Sequence, residues 1–193
     1  MKKIILLGAG GHANSVFDVL LSTKKFKLEN VLDQRISNKK LFNGFKIIKT
    51  DLFLKKNKIR KNIHFSFGSI YNLKKRHKLI LSLKKKKIYN FPIIISPTSY
   101  VAKNVEIPEG SIITHNTLIN HESKIHKHVV INTGSIIEHD VSINDNSHIS
   151  TGVIVNGGVK IGKNCFVGSG SIIRENIVIP DNSFIKMGSI VKK

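Results

Sequence analysis

The second half of the chain repeats an aliphatic residue at every sixth position. From Ile95 to Val191, Ile or Val occupies seventeen successive positions of this series, with no insertion. Four residues after each of them a small or β-branched residue usually follows, as at Ser111, Thr117 and Ser123. A period of six fits neither an α-helix nor a single alternating strand. It predicts a triangular coil whose faces are short strands, with aliphatic side chains inside and small residues at the corners.

The same period sets the dimensions of this coiled region. Three sextets make one coil, so residues 93–193 hold about five and a half coils. Neighbouring coils stack through their strands at a spacing of ~4.8 Å. Cys165 falls at an inward corner of its sextet, and we interpret it as a packing residue rather than a catalytic thiol.

Residues 1–92 lack the six-residue repeat and are expected to alternate strands and helices. In order, the sequence predicts a strand at 3–7, a glycine turn at 8–12, a helix at 13–21, a strand ending at 31–33, a strand at 63–67 before Gly68, and a lysine-rich helix ending near 87. A strand, a glycine turn and a helix in succession present free backbone N–H groups that attract anions. We therefore expect an α/β domain at 1–92 and an all-β domain at 93–193.

The glycine turn also has the spacing of a dinucleotide-binding fingerprint. Gly8-x-Gly10-x-x-Ala13, with Asp33 about twenty residues further on, satisfies that pattern formally. Two such halves are needed for a dinucleotide, and residues 1–92 are too few to contain them. The expectation is one half-Rossmann unit that binds one nucleotide, while a glycine turn without any ligand stays open as the alternative.

Charge and composition exclude several classes of protein. The net charge is +20, but the lysines are scattered among Asn and Ile, a pattern typical of an AT-rich genome. Such a composition raises the lysine content without any ligand, and because no nucleic-acid-binding motif accompanies the lysines, attraction of a phosphate-bearing ligand is the alternative that stays open. No apolar run reaches the roughly 20 residues of a membrane span, and Ile4–Leu7 is too short for a signal peptide. A single cysteine favours a reducing, cytoplasmic location.

Two motifs together resemble one family. Gly8-Ala9-Gly10-Gly11-His12, followed by a repeat domain with Ile137-Glu138-His139-Asp140, resembles the sugar acetyltransferases of the sialic acid O-acetyltransferase type. Within that type, the chain is most similar to the UDP-4-amino-sugar N-acetyltransferases. The resemblance implies a half-Rossmann domain followed by a left-handed parallel β-helix, assembled as a homotrimer. It also implies acetyl-CoA as co-substrate, no metal, and a nucleotide-sugar acceptor that receives an acetyl group.

The resemblance also assigns roles to individual residues. His139 matches the family's general base, and Asp140 matches the acidic residue that raises its basicity. The positions that match coenzyme-binding residues are His148, Ser169, Met187 and Gly188. The positions that match residues holding the nucleotide-sugar are Gly10, Gly11, His12, Asp33, Gln34 and Gly68.

Several alternatives stay open at this point. His121-Glu122 lies one whole coil before His139-Asp140, so both pairs occupy equivalent positions of adjacent coils, and only the family motif favours His139. Zinc-dependent hydration, as in β-helix carbonic anhydrases, is a rival because further histidines lie nearby, at 115, 126 and 128. A non-catalytic sugar-nucleotide-binding scaffold is another. O-acetylation of sialic acid or another sugar competes with N-acetylation.

Overall fold

The computed structural model of the protein describes residues 1–35, 41–68 and 73–192. These residues form two compact units. Residues 1–35, 41–68 and 80–92 make up the first unit, and residues 73–79 and 93–192 make up the second.

The first unit is a mostly parallel sheet with helices. Its elements, in chain order, are β1 (Lys2–Leu7), α1 (Gly11–Thr23), β2 (Phe26–Leu32), β3 (Leu41–Phe42), β4 (Phe45–Ile48), α2 (Thr50–Lys56), β5 (Lys61–Phe65), the second part of α3 (Leu73–Lys85) and β6 (Tyr89–Asn90). The strand order is β3-β4-β2-β1-β5-β6. Every pairing is parallel except β3 with β4. This arrangement confirms the Rossmann-like fold predicted for the first domain.

Hydrophobic patterning explains the centre of this sheet. The run Ile4–Leu7 in β1 is buried, because parallel neighbours flank the strand and no side of it faces water. Helix α1 buries Ala13, Val16, Val19 and Leu20, which lie three or four residues apart along one helical face. The helix extends two residues beyond the predicted 13–21 at each end and stops at Lys24, whose φ is 54°.

The second unit is the predicted β-helix, made of sixteen two-residue strands. They are β7 (Ile94–Ile95), β8 (Tyr100–Val101), β9 (Ile112–Ile113), β10 (Leu118–Ile119), β11 (Lys124–Ile125), β12 (Val130–Ile131), β13 (Ile136–Ile137), β14 (Ser142–Ile143), β15 (His148–Ile149), β16 (Ile154–Val155), β17 (Lys160–Ile161), β18 (Phe166–Val167), β19 (Ile172–Ile173), β20 (Val178–Ile179), β21 (Phe184–Ile185) and β22 (Ile190–Val191). Each strand pairs in parallel with the equivalent strand of a neighbouring coil, as Leu118 does with Ile136.

Side chains of the repeat fill the interior of the coils. The aliphatic series from Ile113 to Ile173 is fully buried apart from Ile125, which is 5 % exposed. Cys165 is buried as well, its thiol donates to the carbonyl of Pro180 at 3.0 Å, and burial raises the pKa of the thiol. A protonated, enclosed thiol of this kind acts in packing.

A second six-residue period marks the corners. From Gly110 to Gly188, fourteen successive sextets place a residue with positive φ three positions after the inward aliphatic residue. Glycine, Asn and Asp tolerate this left-handed conformation best, and they occupy most of these positions. Asp140, with φ 60°, is one of them.

The outward side chains give the three faces different characters. The apolar face carries Tyr100, Leu118, Ile136, Ile154, Ile172 and Ile190 on the sheet from β8 to β22. The lysine face carries Lys124, Ser142, Lys160 and Val178 on the sheet from β11 to β20. The aromatic face ends in His148, Phe166 and Phe184 on the sheet from β7 to β21.

Arg76 explains why the first part of α3 belongs with the β-helix. Its guanidinium is 2 % exposed and donates to the carbonyl of His128 at 3.0 Å and to the side-chain oxygen of Asn146. Asn146 in turn donates to the carbonyl of Leu73 at 2.8 Å. Burial lowers the pKa of Arg76 to about 10.

Candidate active site

His139 and Asp140 form a hydrogen-bonded pair at the corner between the apolar face and the lysine face. His139 Nδ1 lies 2.8 Å from Asp140 Oδ2, and both side chains are more than 60 % exposed. The backbone beneath them is fixed by the ladder between coils. Asp140 N donates to the carbonyl of His121 at 3.1 Å, and the carbonyl of His139 accepts from Gly158 N at 3.0 Å. The imidazole therefore projects from a rigid backbone into solvent.

Two glycines lie one coil beyond this pair. A Cβ atom on Gly157 would come within 2.7 Å of Cε1 and 2.8 Å of Nε2 of the His139 ring, so the ring occupies the space that a side chain would take. Gly158 follows with φ 70°. These glycines form the floor of an open groove of about 660 Å³. Its lining residues are Glu138, His139, Asp140, Asn156, Gly157, Gly158, Glu175 and Asn176.

The groove is acidic although the protein is strongly basic. Three of its lining residues are carboxylates and none is Lys or Arg. Glu138 accepts a hydrogen bond from the Asn120 amide at 3.0 Å. Glu175 accepts one from Arg174 Nε at 3.0 Å, and its own backbone amide, followed by Arg174, holds the pKa of Glu175 below its usual value.

This arrangement suits proton removal from a nucleophile. With Asp140 ionised, the 2.8 Å contact assigns the ring proton to Nδ1 and leaves the lone pair on Nε2. Nε2 lies at the edge of the groove, over Gly157. A neutral histidine oriented by a carboxylate is a suitable general base near neutral pH.

The residues predicted to bind coenzyme lie at the opposite edge of the apolar face. Ser169 and Met187 follow strands β18 and β21, at the corner that leads into the apolar face, whereas His139 follows β13 at the corner that leaves it. Ser169 Oγ is 2.8 Å from Ser150 Oγ, Met187 is 78 % exposed, and Gly188 has φ 67°. The single chain does not bring these residues to His139.

His148, the fourth predicted coenzyme contact, is a largely buried residue of the aromatic face. It is 5 % exposed, and its ring centroid lies 5.3 Å from that of Phe166 at an interplanar angle of 53°. Its position therefore depends on packing as well as on any ligand.

The first unit brings most of the predicted nucleotide-sugar residues to one edge of its sheet. The turn containing Gly10 follows β1, Asp33 follows β2 and Gly68 follows β5, and the carboxyl ends of these parallel strands meet. Ligands of open α/β sheets bind at this edge. Gly10 precedes α1 and, like Gly11, has open space where a side chain would be. His12 is half-buried in the first turn of α1.

Asp33 and Gln34 make contacts that shape this edge. Asp33 Oδ2 accepts from Ala9 N in the glycine turn at 2.9 Å, and Oδ1 accepts from Arg35 N at 2.8 Å. Gln34 Oε1 accepts from Asp51 N at 3.3 Å. Asp33 thus orients the turn that precedes α1.

The histidines of the rival zinc hypothesis differ in their contacts and in burial. His115 Nδ1 is 2.6 Å from Ser96 Oγ, while the His128 ring is buried against Gly110. Among residues 1–35, 41–68 and 73–192, no three His, Cys, Asp or Glu side chains are grouped to hold a metal ion.

In the same part of the chain, no helix combines the length and apolar character needed to cross a membrane.

Most of the groove lining was not predicted from the sequence. The residues missed are Glu138, Asn156, Gly157, Gly158, Glu175 and Asn176. The constant length of the coil contained a usable signal. One and two coils beyond position 139 lie Gly157 and Glu175, in the same column of the β-helix.

Two known domain families match parts of the chain. Residues 3–83 match the PglD N-terminal domain, and residues 158–193 match the hexapeptide repeat of succinyl-transferase. Comparison with curated protein sequences gave no match.

Solved acetyltransferase structures share the fold over nearly the whole chain. The acetyltransferase domain of PglB from Neisseria gonorrhoeae, in complex with acetyl coenzyme A, superposes with a TM-score of 0.89 at 23% identity, over 99% of this chain and 91% of that one. A histidine-to-asparagine variant of perosamine N-acetyltransferase from Caulobacter crescentus, in complex with CoA and GDP-perosamine, gives 0.87 at 21% identity, over 100% and 90%.

WeeI from Acinetobacter baumannii gives a TM-score of 0.85 at 24% identity, over 100% of this chain and 92% of that one. Identities at this level establish the fold, including the left-handed course of the coils. The chain therefore combines a PglD-type N-terminal domain with a hexapeptide-repeat left-handed β-helix, the architecture that it shares with these solved structures.

Proposed function

We propose that the protein transfers an acetyl group from acetyl-CoA to an amino group of a nucleotide-activated sugar, most specifically a UDP-4-amino-sugar. The observation that carries this proposal is the His139–Asp140 pair, with Nδ1 engaged at 2.8 Å and Nε2 over the glycine floor of an open groove. The similar solved structures support it, because PglB and perosamine N-acetyltransferase were captured with acetyl coenzyme A or with CoA and GDP-perosamine. The proposed compartment is the cytoplasm, which the single cysteine favours.

The proposed chemistry needs one base and no acyl-enzyme. The sugar amine attacks the thioester carbonyl of acetyl-CoA, and a C–N bond forms as His139 Nε2 takes the amine proton. The tetrahedral intermediate then collapses, the C–S bond breaks, and the leaving thiolate of CoA receives a proton. Asp140 stabilises the imidazolium that forms between these steps, which is the usual role of a carboxylate behind a catalytic histidine.

A homotrimer completes the proposed site. The apolar face exposes large hydrophobic side chains, including Ile172 at 38 % and Ile190 at 65 %. Contact of this face with a neighbouring subunit would place the His139 edge of one chain against the Ser169 and Met187 edge of the next. A contact between two different surfaces of identical chains closes into a ring when the rotation between subunits fits, and closed symmetry is the rule among soluble oligomers.

The oligomeric state tests this arrangement directly. Ile154→Lys on the apolar face should convert a trimer into monomers in light scattering at micromolar concentration, because it buries a charge in the contact. Ser142→Lys, at the equivalent position of the lysine face, is the matched control and should leave the mass unchanged. A monomeric wild-type protein would contradict the proposal.

The glycine turn of the first unit is proposed to bind the acceptor's phosphates, while the β-helix binds the coenzyme. Gly10 makes no side-chain cap at the start of α1, and Gly10 and Gly11 leave open space there, which supports this division because helix N-termini attract anions. Gly10→Val should then raise the acceptor KM and leave coenzyme binding nearly intact. Equal loss of both affinities in a folded protein would show that the assignment is incorrect.

One screen tests the function itself. Purified protein is supplied with acetyl-CoA and, in turn, nucleotide-linked 4-amino-sugars and free sialic acid, and the release of CoA thiol is followed. Turnover with a nucleotide-linked amino sugar, lost in His139→Ala, is the expected result. Turnover with sialic acid alone would replace N-acetylation by O-acetylation, and thiol release with none of these acceptors would overturn the proposal.

A further inference from the structure

Glu175 stands at the far side of the groove from the His139 imidazole. Positions 139, 157 and 175 follow one another at intervals of one coil and form one column of the β-helix. Strand spacing of ~4.8 Å puts the Cα atoms of His139 and Glu175 roughly 10 Å apart. Between them lies Gly157, which has no side chain, so the edge of the His139 ring that carries Cε1 and Nε2 lies over it, on the side of Glu175. A sugar bound between this ring edge and Glu175 would therefore touch both residues.

The Glu175 side chain is exposed and can contact a ligand, whereas the side chain of its neighbour Asn176 is packed against the backbone. The Asn176 side chain packs on the backbone of Gly158, so closely that a Cβ there would lie 2.3 Å from Asn176 Oδ1. Glu175 is 54 % exposed, and its carboxylate is oriented by Arg174 at 3.0 Å through one of its two oxygens. An oriented carboxylate accepts hydrogen bonds and donates none.

We propose that Glu175 is a specificity-determining residue, which accepts a hydrogen bond from a hydroxyl or amide N–H on the acceptor sugar, across the ring from the reacting amine. Its charge, partly offset by Arg174, adds to those of Glu138 and Asp140 in the same groove, which disfavours sugars that carry a carboxylate. The acceptor class is therefore a neutral or cationic sugar with a hydrogen-bond donor opposite its amine. This inference rests on the function proposed above.

Kinetics of two variants at this position test the inference. Glu175→Ala should raise the KM of the nucleotide-linked amino sugar by roughly tenfold to hundredfold, the range for a lost hydrogen bond to a charged group. Glu175→Gln, which keeps an acceptor oxygen but no charge, should raise it less. In both variants, kcat and the KM of acetyl-CoA should stay within about threefold of wild type, since neither the base nor the thioester is touched.

Inhibition by a sugar acid isolates the charge effect. UDP-glucuronic acid should compete weakly with the acceptor in wild type and about threefold to tenfold more tightly in Glu175→Gln, because a nearby like charge is removed. Glu122→Gln is the matched control. Glu122 has a similar exposure of 59 % and lies outside the groove. In Glu122→Gln, the KM of the amino sugar and the inhibition constant of UDP-glucuronic acid should both equal the wild-type values.

The outcomes separate this inference from the proposed function. If wild type acetylates an amino sugar and Glu175→Ala has the wild-type acceptor KM, the role of Glu175 is refuted and the function stands. If Glu175→Ala raises the KM of acetyl-CoA as much as that of the sugar, the residue acts on folding or assembly and the inference is also refuted. If wild type releases no thiol with any amino sugar, both proposals fail together.

Discussion

Two adjacent coils of the β-helix carry nearly the same pair of side chains, yet a groove borders one of them. His121 Nδ1 lies 3.6 Å from the Glu122 carboxylate, and His139 Nδ1 lies 2.8 Å from the Asp140 carboxylate, with all four side chains well exposed. The next coil differs. His139 itself lies beyond His121 in the column, whereas Gly157 lies beyond His139. The residue one coil further along therefore determines how the histidine ring lies and whether a groove borders it.

The largest difference between the two coils should appear when each histidine is removed. His139→Ala should lower kcat by roughly 10²–10⁴-fold, the usual contribution of a general base. Coenzyme affinity should change little. The measurement is thiol release by the folded protein, in the same oligomeric state as wild type, at several pH values. A greater loss in His121→Ala than in His139→Ala would move the catalytic base one coil towards the N-terminus.

Filling the glycine floor should be the next most damaging change. In Gly157→Ala the new methyl group would come within 2.7 Å of His139 Cε1, so the exposed ring must turn away from the groove. A misplacement of about 1 Å can cost on the order of 10² in rate, and we expect a loss of roughly tenfold to hundredfold in kcat.

Thermal melting provides the control for this variant. Gly157→Ala should melt as wild type does, because a movable side chain absorbs the contact. In Gly162→Ala the methyl group would lie 2.5 Å from the backbone nitrogen of Asp181, which cannot move without breaking the coil. That variant should lose about 1–3 kcal/mol of stability. If Gly162→Ala melted as wild type does and Gly157→Ala lost stability, the Gly157 contact would not be with a movable side chain, and this explanation would be wrong.

Asp140→Asn should have a smaller effect, roughly tenfold in kcat, because the general base remains while the carboxylate that orients it is neutralised. Asp140 is 63 % exposed, so water replaces part of its contribution. Asparagine also tolerates the left-handed backbone at this position. Glu122→Gln is the matched change one coil earlier and should leave kcat unaltered. If Asp140→Asn and Glu122→Gln lowered kcat equally, the His139–Asp140 pair would have no catalytic advantage over His121–Glu122.

The smallest expected effect is that of His121→Ala, no more than about threefold in kcat. Its ring is 67 % exposed and contributes only the screened electrostatics of a neighbour. Acceptor and coenzyme KM values should match wild type within error. A KM change confined to the acceptor would place His121 in contact with the sugar and enlarge the site by one coil.

Much of the fold follows from sequence because the repeat is strict. The inward Ile and Val residues, at a fixed spacing, predicted the β-helix, and the structure confirms it. The helix predicted at 13–21 is found at Gly11–Thr23. The second six-residue period, of left-handed corner residues, was missed because Glu122, His128 and Asp140 occupy some of its positions. These residues adopt positive φ less readily than glycine does, so composition alone does not mark them.

The groove was harder to predict because it forms beside a residue without a side chain, Gly157. Reactive side chains are visible in a sequence, which is why His139 and Asp140 could be named as candidates. Gly157 contributes by having no side chain, and Glu175 contributes by lying one coil beyond that gap. The coil period places 139, 157 and 175 in one column, but it does not show that a groove opens beside that column. The coenzyme residues raise a different difficulty, since their proposed contact with His139 involves another copy of the chain.

The invariant coil length determines which insertions and deletions this protein can survive. Loss or gain of one whole coil within the repeat keeps every later side chain on its own face and moves the rest along the axis by one level. Loss of a single sextet also keeps the interior aliphatic, so the chain would still close its core. However, every later strand would rotate by a third of a turn, and the side chains of the apolar face would move to a different side of the prism. In natural variation of this region, we therefore expect length changes that conserve the proposed trimer to come in whole coils, while single-sextet changes yield folded chains that cannot form it.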